Sequence, residues 1–166
     1  MKKIIYLYIL ESMAEWEVGY ILQAISMESM LKKQNREFII KTVSTSKNPI
    51  QTIGGLTITP DCLLDEIDEN NMVALLLPGA ETWSSEENNQ ILQKTLSYID
   101  KGLYVNSPAF VDSNLITASS AGGLLWAKYI IQYLNVFPCE IIESWYNYYS
   151  TGNPKYYMEL ISQNGR

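Results

Sequence analysis

Ile4-Ile5-Tyr6-Leu7-Tyr8-Ile9-Leu10, then Glu11-Ser12-Met13-Ala14-Glu15, then Val18, Ile21, Leu22 and Ile25: this is the stretch that decides the fold. Seven apolar residues without period-2 alternation suit a strand buried on both faces, as in a parallel sheet with helices above and below. The second apolar set recurs at helical spacing. The short polar corner between them is then the carboxyl end of the first strand, where open α/β sheets place their ligands. Glu17 falls at the start of the helix, where the dipole favours a carboxylate. From spacing alone, a solvated first-turn acid is the favoured reading of Glu17.

Outward from this stretch, the spacing predicts a helix over 15–33, closed by Leu31-Lys32-Lys33 with Asn35 as a stop. A second strand is expected over 38–43, followed by the turn cluster 44–49. Residues 53–58 read as a small hairpin, loosely specified because Gly54 and Gly55 interrupt it. Asp61 is placed to cap a short helix through Leu64 and Glu66. Residues 72–77 read as a third parallel strand, closing at Pro78-Gly79-Ala80. Ser84 and Glu87 match a capping box for a helix that stops at Gly102. Residues 105–111, interrupted by Pro108, make an edge strand, and Asp112-Ser113-Asn114 turns the chain into a strand over 115–118. Ser119-Ser120-Ala121-Gly122-Gly123 opens the next helix, and two aromatic-rich helical stretches follow near 140–149 and 154–161. Such aromatic density is more often packing or an oligomer surface than a cofactor box. Alternating strands and helices in 166 residues indicate one α/β domain, 1–166, with a mostly parallel sheet.

Composition narrows the function. A net charge of −6 leaves no basic stripe to replace phosphate counterions, so no nucleic-acid partner is expected. The apolar run after Met1-Lys2-Lys3 ends at Glu11 without a small-residue cleavage site, and no run approaches membrane-spanning length. A cytoplasmic protein with no membrane association is the expectation. The sequence has no histidine, which removes Ser-His-Asp and Cys-His chemistry as written and most zinc and non-haem iron sites. No metal and no cofactor are expected, and no phosphate-binding Gly-rich loop follows a strand. Cys62 and Cys139 make no disulfide framework and read as small buried thiols.

Several stretches together resemble the ThiJ/PfpI family of the class I glutamine amidotransferase-like superfamily, relatives of the protein deglycase linked to parkinsonism. They are Leu10 through Glu17, Ile53-Gly54-Gly55 with Pro60-Asp61, Leu75-Leu76-Leu77-Pro78-Gly79, and Asn114-Leu115-Ile116-Thr117-Ala118-Ser119. The tail, with Trp145-Tyr146-Asn147 and Gly152-Asn153-Pro154-Lys155-Tyr156, continues in register. The resemblance implies a three-layer flavodoxin-like sandwich and makes Glu17 the acid that sits beside a nucleophilic cysteine. It places Gly79 and Ala80 at the turn whose N–H groups help form an oxyanion hole. Ala80 stands for a second glycine, which costs energy if that position needs φ > 0. Ser119 and Ser120 read as a helix start whose N–H groups could hold a substrate carboxylate. A homodimer and a small-molecule substrate are also implied.

The departure from the family lies at Lys101-Gly102-Leu103, where a fourth buried strand, the sharp turn bearing the cysteine, and a helix are missing. Either that segment is deleted, leaving no nucleophile, or the functional molecule carries a segment that these 166 residues omit. Removing an interior strand strips apolar area at about 25 cal/mol per Å2 against a total stability of roughly 5–15 kcal/mol. Two flanking strands that read as buried on both faces therefore favour the second explanation. It predicts Gly102 and Leu103 α-carbons over about ten Å apart instead of about 3.8. It also predicts a slot of roughly 9–10 Å between the strands ending at Leu77 and Ala118, twice the usual ~4.8. With the segment, the expectation is a cysteine-nucleophile hydrolase or glyoxalase/deglycase-like enzyme on a small carbonyl or amide. Without it, a non-catalytic small-molecule-binding or stress-response module, or an interaction protein using its aromatic tail, takes its place.

Overall fold

The computed structural model describes residues 2–32, 36–86, 88, 91 and 107–162. It divides into two compact units, one of Met1–Val18 with Ile39–Asn106 and one of Gly19–Phe38 with Ser107–Arg166.

The first unit is built on β1 (Lys3–Tyr8), whose Ile4 to Tyr8 are all buried, as the unbroken apolar run requires. With β2 (Phe38–Ser44), β5 (Cys62–Leu63) and β6 (Met72–Leu76) it forms a four-stranded sheet in the order β5-β2-β1-β6. β6 runs parallel to β1, with Ile5 beside Ala74 and Leu7 beside Leu76, and β5 runs parallel to β2. The hairpin expected over 53–58 starts earlier: β3 (Ile50–Gln51) pairs antiparallel with β4 (Thr57–Ile58), and 53–56 lie in its turn. Its tip needs glycine at Gly55, where φ is +88°.

Asp61 does not cap a helix. Its carboxylate instead accepts the Thr42 N–H at 2.7 Å and the Thr42 hydroxyl at 2.9 Å, stitching the start of β5 to β2. The turn that follows, Leu64–Glu66, is held by Glu66 reaching back to the Leu63 N–H.

β6 departs from the reading as a strand buried on both faces. Its first three residues are half-buried and Leu75 is 38% exposed, because only β1 pairs with it among the described residues. Ser84 sits in a short turn, Glu81–Ser84. Glu87 and residues 92–106 lie outside the described residues, and with them the expected capping box, the helix to Gly102 and the α-carbon separation across Gly102 and Leu103.

The second unit holds the helices. The helix expected over 15–33 is broken into a single 3₁₀ turn (Glu15–Val18), α1 (Gly19–Ser26) and α2 (Glu28–Lys32). The Ser26 hydroxyl donates to the Gln23 carbonyl, and the Met27 N–H is shared between the Gln23 and Ala24 carbonyls. Serine back-bonding of this kind tightens and bends a helix. α2 is anchored by Glu28, a fully buried carboxylate that accepts the Glu37 and Phe38 N–H groups and the Lys32 ammonium.

β7 (Ala109–Asp112) and β8 (Leu115–Ala118) form an antiparallel hairpin of their own, with Ser113 at φ +52° in its turn. Thr117 and Ala118 are exposed, so the strand ending at Ala118 is not buried on both faces as its sequence suggested. Leu77 belongs to the first unit and Ala118 to the second.

α1 packs on α3 (Gly123–Tyr133), α3 on α4 (Cys139–Thr151), and α4 on α5 (Pro154–Ser162). Trp145 is fully buried, edge-on to Tyr20, and donates its indole N–H to Gln23 at 2.7 Å. The aromatic tail is thus first of all packing. Gly152 ends α4 in the left-handed region at φ +68°.

Candidate functional site

The corner after β1 is where the first unit concentrates its polar chemistry. Ser12 holds φ +58°, a strained value for serine, and its hydroxyl is buried without a hydrogen-bond partner. The strain turns the chain so that the Ser12 N–H meets the Gln51 carbonyl and the Met13 carbonyl receives the Ile53 N–H. Two carboxylates strap the same hairpin down: Glu11 accepts the Gln51 N–H at 2.9 Å, and Glu15 accepts the Gly54 N–H at 3.2 Å. Hydrogen bonds from its own backbone N–H and that of Gly54 hold the Glu15 carboxyl below the usual range. A Cβ on Gly54 would overlap this carboxylate, so the bond between the two requires glycine there.

On the other side of the corner lies the turn Pro78-Gly79-Ala80. The Ala14 N–H donates to the Gly79 carbonyl at 2.7 Å, and Met13 bridges Ala80. Glu17, half-buried in the turn that precedes α1, accepts the Gly79 N–H at 2.6 Å. A Cβ on Gly79 would stand 2.9 and 3.0 Å from the two carboxylate oxygens, so this approach also requires glycine. Trp83 fixes the turn from below, donating to the Pro78 carbonyl and stacking at a tilt on Tyr8. Ala80 has φ −158°, extended backbone that any residue adopts, so alanine there carries no conformational penalty.

The structure thus joins Glu17, Gly79 and Ala80 in one place. The N–H assigned to an oxyanion hole is occupied by the carboxylate of Glu17, and an incoming anion would have to displace it. Ser119 and Ser120 belong to the second unit and are exposed. The Ser119 hydroxyl turns toward the Pro108 carbonyl and makes no capping bond, while its own carbonyl accepts the Gly122 N–H. The two cysteines lie in different units. Cys62 is on β5, its thiol pushed up by burial, and Cys139 is exposed at the first residue of α4. Glu11, Glu15, Trp83 and Asn88 were not singled out from the sequence. The two glycines beside Glu15 and Glu17 in space were the available signal.

Among the described residues, no group of His, Cys, Asp or Glu is placed to hold a metal ion, and no helix is long and apolar enough to cross a membrane.

A parallel sheet with an acid held on a Pro-Gly turn at its carboxyl edge defines the class, an α/β protein. The chain belongs to the DJ-1/PfpI family, whose model matches residues 2–102. It is similar to the uncharacterized protease YoaZ of Bacillus subtilis, 29% identical over 202 residues, covering 95% of this chain and 96% of the relative. A span of 202 positions against 166 residues leaves at least 36 at which this chain has no residue. Among solved structures, a thiJ/pfpI family protein from Bacillus anthracis superposes with a TM-score of 0.86 at 27% identity, covering 98% of this chain and 97% of its own. A DJ-1 superfamily protein from Agrobacterium tumefaciens, at 16% identity, shares the fold with a TM-score of 0.67, covering 91% and 100%.

Proposed function

We infer that this 166-residue chain is a small-molecule-binding member of the family that keeps the acid-and-donor corner without the nucleophile. The observation that carries the reading is the 2.6 Å bond from the Gly79 N–H to Glu17. By the family resemblance, that acid would sit beside a nucleophilic sulfur and that N–H would help hold a substrate oxyanion. Here each satisfies the other, in a sequence without histidine whose two cysteines lie on β5 and α4. A ligand of this corner is a small carbonyl or carboxylate compound that competes with Glu17 for the Gly79 N–H. The exposed Tyr133, Tyr157 and Met158 on α3 and α5 are consistent with a homodimer.

A second reading, the cysteine-nucleophile hydrolase or glyoxalase/deglycase-like enzyme, is favoured by one observation. The relative named a protease has at least 36 positions absent from this chain, and the family match stops at Gly102. On that reading a segment between Gly102 and Leu103 supplies the thiolate, and Glu17 tunes it.

Iodoacetamide alkylation across a pH series separates the two. The binding reading predicts only slow modification of Cys62 and Cys139, at rates unchanged in Glu17→Gln. A single fast thiol at neutral pH, slowed in Glu17→Gln, would replace it with the hydrolase.

A further inference from the structure

A second polar feature of the first unit lies apart from Glu17 and Gly79. The carboxyl ends of β1 and β2 open into a cleft of about 270 Å3, lined by Glu11, Ser44, Thr45, Asn48 and Asn88, with Leu10, Pro49 and Ile50 as its apolar wall. One wall is rigid. The Asn88 side chain, 6% exposed, accepts the Tyr8 hydroxyl at 2.6 Å and donates to the Thr82 carbonyl and the Ser85 hydroxyl. The Thr82 hydroxyl in turn donates to the Glu11 carbonyl. Every polar atom of the Asn88 carboxamide is committed to protein partners, so it shapes the cleft and is not the group that reads a ligand.

The opposite wall differs. Ser44 is only 4% exposed, yet its hydroxyl makes no hydrogen bond among the described residues while lining the cleft. Among the described residues the enclosed hydroxyl without a partner is that of Ser12, so the Ser44 oxygen reaches the open cleft, where solvent or a ligand meets it. The side chains of Thr45 and Asn48, which follow Ser44, are exposed and line the same cleft. Glu11 uses one carboxylate oxygen, Oε2, on the Gln51 N–H and leaves Oε1. The lining therefore presents hydroxyl, amide and carboxylate groups free to exchange hydrogen bonds, next to a small apolar face.

Charge excludes one ligand class, the anions. Glu11 is the charged residue of the lining, and no Lys or Arg is part of it. Lys47, from the same loop, is paired with Glu66. A phosphate or carboxylate would meet a like charge with no counter-ion, which disfavours it. A neutral polyhydroxylated molecule fits, donating to Glu11, exchanging hydrogen bonds with Ser44, Thr45 and Asn48, and laying its C–H face on Leu10 and Pro49. The volume sits just under the ~300–1,000 Å3 usual for drug-sized ligands, which points to a single sugar ring or a short polyol. We propose that this cleft is a binding site for a neutral polyol or monosaccharide, with Ser44 and Asn48 as its principal contacts.

The test is titration calorimetry of the full chain with glycerol, ribose, glucose, galactose and myo-inositol, and with inorganic phosphate and ethanolamine as charged probes. The expected result is saturable binding of at least one neutral compound and none of phosphate or ethanolamine. Ser44→Ala and Asn48→Ala each weaken that binding roughly three- to tenfold, the effect of one neutral hydrogen bond. Neither variant lowers the thermal midpoint, since both remove polar groups that line the open cleft. Glu17→Gln leaves the binding unchanged, so the result stands or falls separately from the role of the Glu17 corner. Absence of binding across the neutral panel, preference for phosphate or ethanolamine, or binding indifferent to both cleft variants would each overturn the proposal.

Discussion

Gly79→Ala asks whether Glu17 is held against the turn as the structure has it. The added methyl would lie 2.9 Å from Glu17 Oε1 and 3.0 Å from Oε2, closer than a Cβ tolerates. The carboxylate is the far end of a flexible side chain and will swing out, so the steric clash itself relaxes cheaply. Lost with it is the 2.6 Å bond from the Gly79 N–H, a charge-assisted hydrogen bond at a half-buried position. Such bonds contribute roughly 1.5–3 kcal/mol when buried, and partial exposure brings the figure here to about 2. In a domain of this size that lowers the thermal midpoint by roughly 4–8 °C. The same substitution in a Glu17→Ala background has no carboxylate to displace. Because Gly79 is not among the glycines with positive φ, alanine there is near neutral or stabilises by about 0.4–1 kcal/mol through the unfolded chain. Urea unfolding of the four proteins in the cycle reads the coupling directly, at about 2 kcal/mol. An equal cost of Gly79→Ala in both backgrounds would refute the reasoning.

Four further outcomes follow from the same contacts. Glu28→Gln lowers stability by about 2 kcal/mol in urea, because two N–H groups and Lys32 converge on its buried carboxylate; an unchanged midpoint would mean that these bonds contribute nothing net. Ser12→Gly raises the midpoint by a few degrees, since it relieves a left-handed serine and removes a buried orphan hydroxyl, together worth about 1–3 kcal/mol before the entropy of glycine is subtracted. The Glu15 carboxyl is held below the ordinary glutamate range by hydrogen bonds from its own backbone N–H and from Gly54, so its contribution is present above that range and lost as pH falls through the lower folded value. Wild type therefore loses more stability than Glu15→Gln in urea titrations from neutral pH down through the carboxylate range, and parallel losses would exclude this role. Light scattering at micromolar concentration gives a dimer mass, and a monomer would retire the homodimer proposal.

β1 was legible because a strand buried on both faces leaves a mark that nothing else in a short chain copies, seven apolar residues closing at a polar corner. The parallel partner β6 and the helices around Trp145 were legible for similar reasons of periodicity. Asp61 was misread because an aspartate before a short apolar run serves equally as a helix cap or as a stitch between strands, and only the position of Thr42 decides. The break in the first helix depended on one serine bonding backward, which leaves the apolar spacing intact. For the corner, local spacing said only that Glu17 begins a helix. Its partner Gly79 is 62 residues away, and it was the family resemblance, not periodicity, that brought the two together. The strain and the orphan hydroxyl at Ser12 had no sequence signature, since serine is common in turns and nothing local tells a satisfied one from an orphan.

The central claim, that this chain holds the acid-and-donor corner of the family without its nucleophile, is tested most directly by the intact mass of the purified protein. The account predicts 18.9 kDa, the mass of the 166 residues alone. A mass several kDa higher, with peptides mapping between Gly102 and Leu103, would contradict it and return the cysteine hydrolase to first place.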